Sequence, residues 1–509
     1  MNSETAKKIN YFDLFSLALI CAAFVYTCLR AYLLSMTHDE ALSYIFFDHL
    51  STFQDIVRYT IPTTNNHLLN SFLMKFFTQY FGNSEFVIRL PALVGHALYL
   101  TSIYKILKLF LKESFILIGT ALLVLQPFLI DYFSCARGYA LGLGFMSWGF
   151  YFCLRELKNP SSHPSFKNLF FAYLMLAVSA LGNLAFLNIF IAVVSFFGLM
   201  QLFYFTVQKE PLQVKLKRIL IKVILPILPN ALFLALVYTE PIKKLRNAHE
   251  FYHGGDLGFW DNTVGSLLQV LMYGKTYFHL DTALFSSLLK YLVLAILLTA
   301  FLFLFHQRTT RKDLQSLHPY LLFFFGILII CSTGIILQHR LFGTVYPIDR
   351  AAIFYIPIFF ILALLLWTGF RKARSKTIRI TTNFIGLATA SAVLYHSISC
   401  VNLTHFLLNS PDAHTKEMMQ TITEMTKNKN LPPETIRLGV HWWFEPAVNY
   451  YILRNHLIWI HPVDRNGPDG VFNYYYLRED DKSILDKYKL NVIKKYEISN
   501  TYLAAYGIA

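Results

Sequence analysis

The chain has 509 residues, of which 55% are hydrophobic and only 15% charged, and its mean hydropathy is +0.45. A soluble globular protein carries roughly 25% charged residues, so the composition excludes an ordinary soluble domain and points to a polytopic membrane protein. The formal net charge of +15 does not mark a nucleic-acid binder, because the bases fall in short clusters between apolar runs, where they set topology and meet anionic lipid head groups.

In chain order, Lys7 and Lys8 precede an apolar run that lacks a small-residue cleavage site. It reads as a retained first helix rather than a cleaved signal. About twenty apolar residues span a bilayer, and such runs lie near 13–35, 86–110, 114–134, 138–154, 168–185, 187–206, 219–239, 284–305, 319–338, 351–369 and 379–399. Within 168–206 only Gly182 and Asn183 mark a turn. With a cytoplasmic N-terminus, every inside connection is basic: Lys105, Lys108 and Lys112; Arg155, Lys158 and Lys167; Lys209, Lys215, Lys217, Arg218 and Lys222; Arg308, Arg311 and Lys312; Arg371, Lys372, Arg374, Lys376 and Arg379. The short outside connections are nearly free of base, as the positive-inside rule requires. Residues 1–400 are thus expected to form the membrane unit, with a first outside loop at 36–85 and a long outside loop at 240–282.

Eleven spans place residues 401–509 outside. That tail is more charged, and its apolar segments are short. "TIRLGVHWW", "LIWIHPV", "VFNYYYL" and "NVIKKYEI" read as strands, and "DAHTKEMMQTITEMTK" and "EPAVNYYILRN" as helices. A small α/β domain is expected there. The six cysteines, Cys21, Cys28, Cys135, Cys153, Cys331 and Cys400, show no CxxC spacing, disulfide framework or zinc motif, and read as small buried apolar residues.

This topology gathers the unusual polar residues on the outer face. "SMTHDEALSYIFF" carries Asp39 and Glu40 just after the first span; "TTNNHLLN" carries Asn65, Asn66, His67 and Asn70; "DYFSCARGYALG" carries Asp131, Tyr132, Arg137 and Tyr139; "QHRLFGTVYPIDR" carries His339, Arg340, Tyr346, Asp349 and Arg350. Two adjacent acids at a helix start point about 100° apart, so one can face a cavity while the other accepts hydrogen bonds from the scaffold. The plainer reading is that both cap the helix "EALSYIFFDHL", and the two readings are compatible. Arg137 and Arg350 stand at the outer ends of spans, where arginine either snorkels to head groups or grips a phosphate bidentately. "NNHLLNSFLMKFFTQYFG" has helical periodicity but is too short and polar to span, and reads as a helix lying in the interface.

At this point the motifs resemble a known family. An acid pair after the first span ("THDEA"), a histidine-led interfacial stretch running into "GNSEFVIRLPA", an arginine–aromatic segment ("SCARGYALGLGFMSW") and a late "YPIDRAAIFYIP" are similar to the GT-C fold glycosyltransferases. Within these the likeness is to protein O-mannosyltransferases and bacterial lipid A aminoarabinose transferases. It covers about residues 11–155 and returns near 340–360; elsewhere only the layout matches. The family's prolines after the histidine are Leu68 and Leu69 here.

The resemblance implies transfer of a sugar from a polyprenyl phosphate to a protein, glycolipid or glycan acceptor on the outer face. Asp39 would be the base and Glu40 would orient the acceptor or a loop. Arg137, Arg350 and Arg340 would hold the donor phosphate, and His67, Tyr139 and Tyr346 would contact substrate. Arg89 is expected to fix the first loop through Glu85 or Glu40. His441, Trp442 and Trp443 are expected either at the acceptor or in the tail's core. No cofactor is expected, although the acids could bind a divalent cation. A multi-pass protein of a bacterial inner membrane is implied, with its C-terminal domain in the periplasm. The rival readings are a flippase or transporter of lipid-linked sugars, which should show internal repeats, a membrane polysaccharide polymerase or ligase, and an interaction protein headed by the tail. The first lacks its repeats, the second keeps its key residues in late loops, and the third leaves the acid–arginine cluster unexplained.

Overall fold

The structure, a computed structural model, describes residues 11–112, 114–158, 166–207, 211–277, 282–306, 316–373, 375–427 and 431–506. Of the bases used for orientation, Lys7, Lys8, Lys209, Arg308, Arg311, Lys312 and Arg374 lie outside the described residues, as does Asp281 near the end of the long loop.

Every expected apolar run forms helix. The first is α1 (Tyr11–Leu33), followed by three short helices, α2 (His38–Ser43), α3 (Phe53–Arg58) and α4 (Leu68–Phe81). Then come α5 (Glu85–Leu107), α6 (Ser114–Val124), α7 (Pro127–Phe133), α8 (Tyr139–Lys158), α9 (Phe166–Gly182), α10 (Leu187–Val207) and α11 (Leu212–Asn247). After a short α12 (Gly265–Leu271) follow α13 (Thr282–His306), α14 (His318–Phe342), α15 (Tyr355–Arg371) and α16 (Lys376–Ser399). Among the described residues, six helices are long and apolar enough to cross a membrane unaided, and α6 with α7, a pair bent at a short break, is long and apolar enough only when the two are taken together. Shorter α9 and α15 are also apolar. The chain is a multi-pass helical membrane protein.

The structure departs from the simplest reading of the runs in two places. The expected span 114–134 breaks, and α6 and α7 meet at 64°. Pro127 opens α7, and Gln126 before it is extended (φ −67°, ψ 116°), because the proline ring forces the preceding residue out of the helical region. The run 219–239 extends to 212–247 through a π-helical turn at Leu220–Ile224. The turn between α9 and α10 is where Gly182 and Asn183 suggested. Asn183 is extended, and its side chain accepts from the Ala185 N–H.

At the centre α5 packs along α8, and α8 along α9. A Cβ on Gly95 would lie 2.4 Å from the Ala140 carbonyl carbon, so only glycine allows α5 and α8 to cross this closely. Helix α4 turns Asn70, Ser71, Met74 and Thr78 inward and Phe76, Tyr80 and Phe81 outward, the face an interfacial helix offers to lipid.

The C-terminal residues build helices α17 (Thr415–Thr426) and α18 (Glu445–Arg454) against a four-stranded sheet. Its strands are β1 (Leu438–Val440), β2 (Tyr474–Arg478), β3 (Asn491–Tyr496) and β4 (Thr501–Ala505), in the order β1-β2-β4-β3. β1 is parallel to β2, and the other pairs are antiparallel. "LIWIHPV" contributes only a bridge from Ile460 to Ile436, and the fourth strand of the sheet is β4, which the sequence reading did not include. The "TIRLGVHWW" strand stops at Val440, and Trp442–Phe444 form a 3-10 turn capped by His441. This unit is no separate head: Met36, Ala41, Tyr44, Phe47 and Leu68 share one apolar core with Met418, Tyr450, Tyr451 and Leu503.

Candidate active site

The acid pair sits at the start of α2. Thr37 caps this helix: its Oγ1 accepts from the Glu40 N–H (3.3 Å), and Glu40 Oε2 accepts from the Thr37 N–H (3.1 Å). The capping reading is therefore right for Glu40. The same fully buried carboxylate also takes a bidentate pair from Arg89, Nε to Oε1 at 2.8 Å and Nη2 to Oε2 at 2.7 Å, and accepts from the Ala136 N–H at 2.5 Å. Burial opposes its charge, but Arg89 and these N–H groups outweigh that and lower its pKa. Arg89 also donates to the carbonyls of Ala31, Leu34 and Ser35 at the end of α1, groups a helix terminus would otherwise leave orphaned. Of the two acids proposed for Arg89, the structure selects Glu40. Glu85 turns the other way, to Arg454, Lys416 (3.2 Å) and the Tyr451 hydroxyl (3.3 Å) of the C-terminal unit.

Asp39 points elsewhere, as the helical offset requires. Its Oδ2 lies 3.4 Å from Arg350 and 3.7 Å from Arg137. Burial pushes its pKa up, but the two guanidinium groups prevail and hold the carboxyl well below the usual range. Arg137 is itself held by Asn65 Oδ1 (2.9 Å) and Ser43 Oγ (3.4 Å). Its loop closes tightly, since a Cβ on Gly138 would meet the Gly182 carbonyl oxygen at 1.7 Å. Arg350 follows Asp349, which has a left-handed φ of 46° and donates its N–H to Ser266 Oγ (2.9 Å). Arg350 lies close enough to Tyr132 and Tyr139 to feel both rings' hydroxyls.

His67 joins the same cluster. Its ring meets Tyr139 at 5.3 Å, and Tyr139 meets Tyr132 at 4.8 Å. The Asn183 amide donates to His67 Nδ1 (3.1 Å), which assigns the proton of the neutral ring to Nε2. Burial, then Arg137, holds its pKa well below the ordinary value. Among the described residues, His67 Nε2, Arg137 Nε, Asn66 Oδ1 and Asn70 Oδ1 are buried without a hydrogen-bond partner, and His67 and Arg137 both act on the acid. Leu68 and Leu69, standing for the family's prolines, occupy the first helical positions of α4, where proline's missing N–H would go unused anyway.

Asp39, Arg137, Arg350, His67 and Tyr139 are thus brought together. Arg340 and Tyr346 are not. Arg340 is exposed in the last turn of α14 and makes no ion pair with Asp39. Tyr346 is buried, stacked on His339 (4.2 Å), with its backbone paired to Gly255. Asp131 forms a buried pair with Arg30 (2.5 Å) and accepts from Tyr273 (2.8 Å), a structural tie. Sequence reasoning missed His253, whose ring feels Arg350, Asp39 and Arg137, and Glu250, which accepts from Thr63 Oγ1 and the Thr64 N–H (both 2.9 Å). Both lie in the long loop, and no spacing tied them to the acid pair. Among the described residues, no group of three or more His, Cys, Asp or Glu side chains is arranged to hold a metal ion.

No family model matches the chain, and no curated protein does. Among solved structures, ArnT from Cupriavidus metallidurans bound to undecaprenyl phosphate matches with a TM-score of 0.50 at 12% identity, over 97% of this chain and 98% of that one. The chain has the GT-C fold. The apo state of that ArnT gives a TM-score of 0.49 at 12% identity, over 97% and 99% of the two chains. Archaeoglobus fulgidus oligosaccharyltransferase, in complex with zinc and sulfate, gives 0.45 at 12% identity, over 96% of this chain and 73% of that one.

In this GT-C chain the Glu40–Arg89 pair is predicted to be structural. Glu40→Gln should lower stability by ~3–5 kcal/mol, because it leaves Arg89 buried without its counter-charge. Glu40→Leu with Arg89→Met should lose less than the two single changes summed. Thermal unfolding of the full-length protein in detergent measures both; additive losses would contradict the coupling.

Proposed function

We propose that the chain transfers a sugar from a polyprenyl-phosphate donor to a protein, lipid or glycan acceptor on the non-cytoplasmic face, with Asp39 as the general base. The observation that carries this reading is the division of labour in the acid pair. Glu40 is fully engaged by the scaffold, whereas Asp39 keeps its carboxylate facing Arg137 and Arg350. The basic connections between spans support an N-terminus on the cytoplasmic side and a C-terminal unit on the periplasmic side of a bacterial inner membrane.

In the proposed step the acceptor oxygen or nitrogen attacks the anomeric carbon and gives its proton to Asp39. The bond from that carbon to the phosphate oxygen breaks, and its electron pair leaves with the polyprenyl phosphate. Arg137 and Arg350 stabilise the charge that develops on the leaving group, and His67 Nε2–H and the Tyr139 hydroxyl supply neutral donors beside them. Arg340 and Tyr346, outside the cluster, take no part. The arginines carry a second role. Without donor they neutralise Asp39 and weaken it as a base; a phosphate that draws on the same guanidinium groups raises the Asp39 pKa. Donor binding thereby strengthens the base just when an acceptor can be attacked.

Asp39→Asn should abolish transfer while the protein still inserts and purifies folded; near-normal turnover would remove Asp39 from the role. Arg350→Ala should raise the donor KM more than the acceptor KM in steady-state assays, and an unchanged donor KM would sink its phosphate role. The pH profile gives a third test. Asp39 works ionised, so activity holds above its pKa and is lost as pH falls through it. kcat/KM for the donor reports the free enzyme and kcat the loaded complex. The acid limb of kcat should therefore lie at higher pH than that of kcat/KM, and coincident limbs would rule out the sharing of arginines.

A further inference from the structure

The residue before the base is held from the far end of the chain. His38 opens α2, and its backbone N–H donates to Asp412 Oδ2 at 2.9 Å, across 374 residues. The other oxygen of that carboxylate, Oδ1, accepts from the Trp443 indole N–H at 3.0 Å. His38 Nδ1 donates to the Trp443 carbonyl at 2.6 Å, and the two rings lie 4.9 Å apart. Asp412 is buried. Thr37 caps the Glu40 N–H, and Asp412 caps His38 N–H, so α2 is fixed by one local and one remote acceptor.

We propose that Asp412 is a positioning residue: it touches no substrate and sets the direction of Asp39 by holding His38 against the C-terminal unit. This rests on Asp39 being the base. The six residues of α2 run on into a π-helical turn at Tyr44–His49, and a helical stretch this short is marginal on its own, so its contacts decide where it points. Asp39 follows His38 directly, and a displacement of about 1 Å at a reacting group lowers the rate roughly 10²-fold. Burial, with the nearby charges of Asp39 and Glu40, raises the Asp412 pKa well above the ordinary carboxyl value against the pull of its two N–H partners. Because both partners are donors, both oxygens must accept. A carboxyl group, ionised or not, has two oxygens that can accept, and a carboxamide has one, since its nitrogen end is itself a donor.

That asymmetry provides the test. In the full-length protein, Asp412→Asn sets an N–H against an N–H. Amide exchange over residues 36–43 should become about tenfold faster, the scale of a lost hydrogen bond, with exchange in the C-terminal half of α5 unchanged. Sugar transfer from a labelled polyprenyl-phosphate donor should show kcat reduced by roughly 10²-fold with both KM values little changed. Adding Trp443→Phe removes the competing indole donor and lets the amide oxygen return to His38, so the double variant should recover slower exchange and a higher kcat than Asp412→Asn alone. Unchanged exchange in Asp412→Asn, or no recovery in the double variant, would overturn the assignment. If the unmodified chain transfers no sugar, the transferase reading fails, and the exchange comparison, which needs no substrate, still decides whether Asp412 holds α2.

Discussion

The buried pair between Glu40 and Arg89 is the constraint on which the rest of the site depends. One guanidinium closes the end of α1, where it meets three carbonyls, and clamps the acid that opens α2. The same acid fixes the Ala136 N–H, one residue before Arg137. Two of the cluster's members, Asp39 and Arg137, therefore take their positions from neighbours of a single ion pair. A charge pair this deeply buried gains little net stability over an apolar contact. It specifies direction, because each hydrogen bond is satisfied in one arrangement only.

The segment "GNSEFVIRLPA" works as a junction. Arg89 faces the first inter-span segment. Four residues earlier Glu85 faces Arg454 and Lys416, and the Asn83 carbonyl accepts from the Tyr450 hydroxyl at 2.9 Å. One helix start thus ties the acid pair to the C-terminal unit, and the Tyr451 hydroxyl completes the tie by accepting from the Met36 N–H at 2.9 Å.

The helices were legible because membrane spans declare themselves through length and apolarity, and the acid pair because two adjacent charges stand out at the end of such a run. The break at Pro127 was signalled by the proline, yet the apolar run concealed it. In the C-terminal unit short strands carried a weaker signal. β4 is a five-residue strand, and "LIWIHPV" has the composition of a strand but not its pairing. Which acid faced which arginine could not be read, since partners such as Glu40 and Arg89 are 49 residues apart and only packing chooses between Glu85 and Glu40. His253, Glu250 and Asp412 were hidden for the same reason: each belongs to a segment whose place beside the acid pair is set by tertiary contacts.

The core shared between the first inter-span segment and the C-terminal residues has a consequence for how such a chain can change. Met418, Tyr450 and Tyr451 bury themselves on Met36, Tyr44 and Phe47, so neither part has an apolar face complete without the other. The tail is therefore not a module that can be exchanged, grafted or produced alone in its native form. Change in this unit must arise by substitution within a fixed frame, with residues on both sides of that core changing in step.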